Sequence, residues 1–278
     1  MSLRNNSERL GPHSHSDSEV PIPAQNDLSF VLPTMFVDLP SKGEFYPETH
    51  PLCGETSLEI RMMTAKDEDL LTNQDLIKKK VVLDRLVQSL LIDKSIRVDS
   101  LLIGDKNAIL FAARVAGYGS DYTVEINCPS CGTKEKKTYD LEECLKQKEV
   151  DRTLVEPLGN GLFRVELPYS GVDCVFQLLT SKNEKTLLKK IDHSSKRKDN
   201  TISTDILKEM IVSLNGVQDK AEINNFINNM LMADSRFLKN LYDNVSPDVN
   251  IKGEFECLEC GHFEVVEVPL TVEFFWPK

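Results

Sequence analysis

Several absences narrow the reading before any motif is considered. No apolar run in this 278-residue chain approaches the roughly 20 residues needed to cross a bilayer, which argues against a membrane protein. The N-terminus lacks the basic-then-apolar pattern of an export signal, so the expected setting is a reducing cytoplasm. There is no glycine-rich phosphate loop, no His-Glu-x-x-His and no nucleophile elbow, and the many carboxylates are scattered without marking a catalytic pair. Positive charge is also short: 33 Lys and Arg face 44 Asp and Glu, a formal net charge of −11. Nucleic-acid binding draws much of its affinity from cations that neutralise phosphates, so this balance argues against it. At 40% hydrophobic and 28% charged, the chain has material for a sizeable core in one large domain or two ordinary ones.

What the chain does carry is a repeated cysteine motif. Tyr122 to Asn127 alternates into Cys128-Pro-Ser-Cys131-Gly132, and Asn250 to Glu256 leads into Cys257-Leu-Glu-Cys260-Gly261. A strand-like stretch follows each, Lys136 to Leu141 and His262 to Leu270. The two-residue spacer lets both thiolates of a tight turn point at one ion, and the glycine accepts the positive φ that closes it. Cys128, Cys131, Cys257 and Cys260 together complete a tetrahedral shell for one structural Zn²⁺. A redox dithiol would sit at a helix N-terminus in a βαβ setting, whereas both pairs here lie between strands. Disulfides would need an oxidising compartment. Cys53, Cys144 and Cys174 have no paired spacing and read as ordinary thiols, and His262 reads as a surface histidine beside four available sulfurs. A four-sulfur shell leaves no open position for substrate, so zinc catalysis is not expected.

Around the knuckles the chain divides by composition into four segments. Residues 1–27, rich in Ser, Asn, His and Pro, read as a flexible arm in which His13 and His15 stay solvated. Residues 28–149 comprise an extended segment from Leu28 to Pro47, a strand at Leu58–Met62, a helical unit and the first knuckle. One helix is expected from Thr64 as its cap. A second, from Thr72–Asn73, runs through Leu76, Ile77, Leu83, Leu86, Val87, Leu90 and Leu91, with Lys78, Lys79 and Lys80 on its wet face. A third is expected with Asp105 as cap and Gly117 as its end. Lys134, Lys136 and Lys137 read as a solvated hairpin edge rather than a nucleic-acid patch.

Residues 150–249 have a mixed strand and helix character. Leu162–Leu167 and Val172–Leu178 should pair around Pro168–Gly171. Helices are expected over Asn183–Ile191, from Thr204–Asp205 to Gly216, from Ala221, and from a cap at Ser235, with a polar loop over Ser194–Asn200. Residues 250–278 carry the second knuckle and a C-terminal strand, and Phe274, Phe275 and Trp276 should bury in the core. The fold class is therefore α+β: a helical N-terminal unit with a split, zinc-ribbon-like pair of hairpins that encloses a mixed α/β insertion.

Several stretches carry a further resemblance: Pro33 to Gly43, Tyr46-Pro47, Ile60 to Leu70, and Leu101-Leu-Ile-Gly-Asp-Lys-Asn-Ala108 through Gly117-Tyr-Gly119. Over about residues 30 to 145 the chain resembles the baseplate hub assembly proteins of T-even-type tailed phages. The resemblance implies a phage protein without enzymatic activity that helps to build the hub of a contractile-tail baseplate. Its partners would be other hub or tail proteins, met in the host cytoplasm during assembly and in the virion baseplate if the chain stays there. A zinc-ribbon nucleic-acid accessory factor is the alternative from another class. It requires salt-sensitive binding that the acidic balance disfavours.

Overall fold

Alternation places the first two strands. β1 (Thr34–Asp38) pairs antiparallel with β2 (Ser57–Arg61), so that Val37, Leu58 and Ile60 enter the core and Phe36 stays outside. The computed structural model describes residues 32–197, 202–268 and 272–275. The expectations for the arm, for residues 28–31 and for Trp276 lie outside them. Three helices follow, α1 (Ala65–Thr72), α2 (Gln74–Lys78) and α3 (Val82–Leu90). Asn73 caps α2 by accepting from the N–H groups of Asp75 and Leu76. The single helix expected over Leu76–Leu91 is thus two, divided where Lys80 turns the chain at φ +54°. Ile77 on one side and Leu86 and Leu90 on the other still reach the same core, so the apolar period carries no trace of the break.

α4 (Ile103–Tyr118) leads into a hairpin of β3 (Asp121–Asn127) and β4 (Lys134–Asp140), which bears the first knuckle. Gly119 rather than Gly117 ends α4, at φ +83°. α5 (Leu141–Cys144), β5 (Leu145–Gln147), β6 (Glu156–Gly159), β7 (Leu162–Glu166) and β8 (Asp173–Gln177) come next. Then follow α6 (Ser181–Arg197), α7 (Ile202–Met210), β9 (Ile211–Leu214), α8 (Lys220–Asn228) and α9 (Met232–Val245). β10 (Val249–Glu256) and β11 (Phe263–Glu267) form the second knuckle hairpin, and Val272–Phe275 makes a 3-10 turn.

Among the described residues all strand pairs are antiparallel, in sheets ordered β1-β2, β3-β4, β11-β10-β5 and β6-β7-β8-β9. This is a mixed α/β architecture. Three readings of the middle segment need correction. Ile211–Leu214, expected as helix, is a strand, because its apolar residues complete the sheet beside β8. α6 continues through Arg197 where a loop was expected, since Lys and Arg are good helix formers without any apolar stripe. Ser235 lies inside α9, which starts at Met232.

The first turn of α4 is where the chain's parts meet. Gly104 lies so close to the loop before β10 that a Cβ would stand 2.0 Å from the Pro247 carbonyl oxygen. Asp105 is not a cap but is fully buried, accepting from the Ser41 N–H (3.0 Å), the Ser41 hydroxyl (2.6 Å) and the Tyr46 hydroxyl (2.7 Å). Burial pushes its carboxyl above the usual range, and these donations oppose that shift. Tyr46 in turn accepts from the Leu102 N–H and stacks on His50. Lys106, also buried, pairs with Asp84 at 3.3 Å and with Glu184 of α6. Asn107 reaches Asp248 at 3.2 Å. Four consecutive positions, one a glycine and three with polar side chains, therefore join α4 to the N-terminal turn, to α3, to α6 and to the loop before β10. Backbone bonds from Ile103 N–H to Leu179 and from Ser181 N–H to Leu101 seat the middle segment on the same turn. Pro33–Lys278 forms one compact unit.

At the other end of α4, Arg114 is fully buried and donates to three carbonyls, those of Phe274, Gly119 (2.6 Å) and Asp121 (3.1 Å). Phe274 and Phe275 are buried as expected, and Phe274 packs edge-on against Tyr122.

Near α1, Asp67 receives a two-pronged Arg61 guanidinium, the Thr64 N–H and the Ser89 hydroxyl. Burial alone would raise its pKa, but these donors outweigh it and hold the carboxyl well below the usual carboxylate range. A depressed folded-state pKa stabilises fully above the unfolded value of about 4 and is lost as pH falls towards the folded value. Asp67→Asn should therefore destabilise by about 2 kcal/mol at pH 7, with the gap to wild type narrowing below about pH 4. Urea midpoints measured across that range test this; a gap that stays constant to pH 3 counts against it.

Candidate metal centre

The two knuckles are built alike. In the first, the Cys128 N–H donates to Thr133 (2.8 Å) and the Gly132 N–H to Cys128 (2.9 Å). In the second, the Cys257 N–H donates to His262 and the Gly261 N–H to Cys257, both at 2.9 Å. Gly132 and Gly261 adopt φ of +75° and +68°, the left-handed turn in which a side chain would be strained. The backbone N–H groups fix each turn, so the paired sulfurs project together.

The fold then brings the turns face to face. Cys128 Sγ lies 3.7 Å from Cys260 Sγ, and Cys131 Sγ 3.6 Å from Cys257 Sγ. All four sulfurs lie within 4.8 Å of one another. A tetrahedron with metal–sulfur bonds of about 2.3 Å has sulfur–sulfur edges of about 3.8 Å, close to the cross-knuckle distances here. Disulfide bonding would require about 2.05 Å. Cys128 and Cys257 are buried, while Cys131 and Cys260 lie at the exposed rim.

Their surroundings act on two of the thiols in opposite directions. The Thr133 hydroxyl and N–H hold the Cys131 thiol down at about 6, whereas desolvation pushes Cys257 up to about 12. Four thiolates this close would repel one another, so a divalent ion is what would let all four thiols give up their protons together. Glu135 of β4 accepts from the Leu258 N–H at 2.9 Å and so ties the first hairpin to the second turn. The donor set thus fits a thiophilic metal ion.

The remaining candidates separate cleanly. His262 turns its Nε2 to Glu264 at 3.2 Å. Cys53 is exposed and Cys174 is buried, with its thiol pushed up to about 12 by desolvation; the Cys144 side chain lies outside the described residues. Lys134 pairs with Glu125 across its hairpin at 3.0 Å on an exposed edge. The buried polar groups around α4 escape a reading by residue type. The one available signal was the Gly104-Asp105-Lys106-Asn107 stretch, in which charged residues interrupt an otherwise apolar helix.

Neither the curated proteins nor the solved structures contain a match to this chain. The sequence model of one family, described as T4 bacteriophage base plate protein, matches residues 33–276. That span takes in both knuckles and the entire segment between them, well beyond the stretch that carried the resemblance in the sequence. The chain belongs to the T4 bacteriophage base plate protein family.

Proposed function

We propose that the chain is a non-enzymatic hub assembly protein of the phage baseplate, with one structural Zn²⁺ held by Cys128, Cys131, Cys257 and Cys260. The family match across residues 33–276 carries this reading, and the converging sulfurs support the metal. Four sulfurs close the shell, so the ion would clasp the two hairpins and leave no coordination position for a substrate. In this reading, residues 28–149 and 250–278 make a metal-closed body and residues 150–249 an insertion into it. Assembly would take place in the host cytoplasm with other hub or tail proteins as partners, before or during incorporation into the baseplate.

Affinity capture of the tagged chain from infected cells should recover hub or tail proteins. Recovery of none overturns the assembly role. Metal analysis of the purified protein should give close to one equivalent of zinc, and less than about half an equivalent rules out a stoichiometric site.

A further inference from the structure

A groove along α2, α3, α4 and α6 has two chemically different halves, which share Lys80, Asp84 and Leu188. One half, about 370 Å³, has apolar walls that include Ile77, Leu83, Leu110 and Phe274. The other, about 410 Å³, is ringed by Lys79, Lys80, Arg85, Arg97, Lys185 and Lys189, with Asp84 and Asp99 as its carboxylates. Six cations against two anions in one cleft run opposite to a chain of net charge −11.

Both carboxylates are already engaged. Asp84 holds Lys106 at 3.3 Å and Lys185 at 3.2 Å, and Asp99 holds Lys185. Among the described residues, Lys79, Arg85 and Lys189 make no ion pair, and Arg97 acts on Asp99 only through space, without a direct pair. Cations gathered at a low-dielectric wall repel each other and focus a positive field outward, which an incoming anion relieves.

We propose that this groove receives a segment of another baseplate protein in which apolar side chains adjoin a cluster of carboxylates. The proposal rests on the assembly reading above. Charge complementarity selects the acidic part: the Arg85 and Arg97 guanidiniums suit bidentate carboxylate pairing, and the lysines supply point charges around them. The adjoining apolar half selects the neighbouring side chains and adds hydrophobic burial to the electrostatic attraction. Nucleic acid fits less well, because none of the described residues lining the basic half is an aromatic on which a base could stack.

Fluorescence anisotropy of the full chain with a fluorescein-labelled peptide, a leucine pair beside a run of glutamates, tests this. The glutamine counterpart and an oligothymidylate of equal charge serve as comparisons. The glutamate peptide should bind saturably and more weakly as salt rises. An Arg85→Glu/Arg97→Glu variant should lose about tenfold or more in affinity, which is about 1.4 kcal/mol. These positions are exposed, so its melting curve should match wild type; Lys79→Glu/Lys189→Glu gives an independent variant if the first fails to fold. Absence of saturable binding, affinities within about twofold of wild type in the folded variants, or tighter binding of the oligothymidylate would each overturn the proposal. The assembly reading fails separately: peptide binding by a chain that captures no tail protein sinks that reading and overturns a baseplate protein as the occupant, while the acidic and apolar chemistry of the groove stands. Normal capture of tail proteins by a chain that binds no peptide sinks only the groove.

Discussion

If the four cysteines hold Zn²⁺ as proposed, removing it by chelation, or removing one buried ligand by Cys257→Ser, should lower the melting temperature by at least about 10 °C. The expectation follows from chain geometry. The sulfur pairs that meet across the knuckles are 126 and 132 residues apart in sequence. A bond that closes a loop of that length removes about 4–5 kcal/mol of unfolded-chain entropy on the cross-link model. For a domain of this size each kcal/mol is worth about 2–4 °C. The loss should be felt beyond the knuckles, because β10 is tied to α4 through Asp248 and Pro247, and β5 pairs with β10. Thermal melts with and without a zinc chelator, with release followed colorimetrically, provide the measurement. Cys53→Ser, at an exposed cysteine away from the cluster, should leave the midpoint where it was. A midpoint unmoved after complete metal removal would show that packing alone holds the hairpins together.

Arg114→Met should cost about 2 kcal/mol, seen as a fall of about 4–8 °C in the melting midpoint. Methionine fills much of the same volume, so the loss measures polar work rather than a cavity. Three carbonyls would lose their shared donor, that of Phe274 in the interior and those of Gly119 and Asp121 at the exposed rim. The Phe274 acceptor left buried and unpaired costs about 1–3 kcal/mol, the two rim carbonyls can turn to water, and relief from burying a guanidinium offsets part of the loss. Arg114→Lys should recover little of the loss, since one ammonium cannot reach three acceptors set around a planar fork. If Arg114→Lys melts like wild type, the fork is not what joins α4 to the C-terminal segment.

These two sites differ in how openly the amino-acid sequence displays them. The knuckles are legible because their chemistry is local: a cysteine pair, a glycine at positive φ and a flanking alternation all fall within a dozen residues. Even their convergence follows from residue type, since two sulfurs alone make half a shell. Arg114 reads simply as a polar position on an amphipathic helix, because its three acceptors are backbone atoms, and backbone atoms have no residue-type signature. Asp105 was misread for a related reason. An acid at the start of a helix suits both a cap and a buried acceptor, and only the arrival of Ser41 and Tyr46 from about sixty positions upstream decides between them. The break at Lys80 and the strand Ile211–Leu214 are tertiary outcomes. Both lie in stretches whose apolar content satisfies the core in more than one local conformation.

The separation of the two sulfur pairs also bears on when the fold is finished. Contacts between residues this far apart are entropically the slowest to form, and they must wait for the intervening hundred residues to condense. Until then Cys128 and Cys131 would offer the proposed ion only two ligands and hold it exchangeably. Tight metal retention would therefore mark the last stage of maturation rather than its nucleus. A refolding chain should acquire its helices before it acquires a chelator-resistant ion.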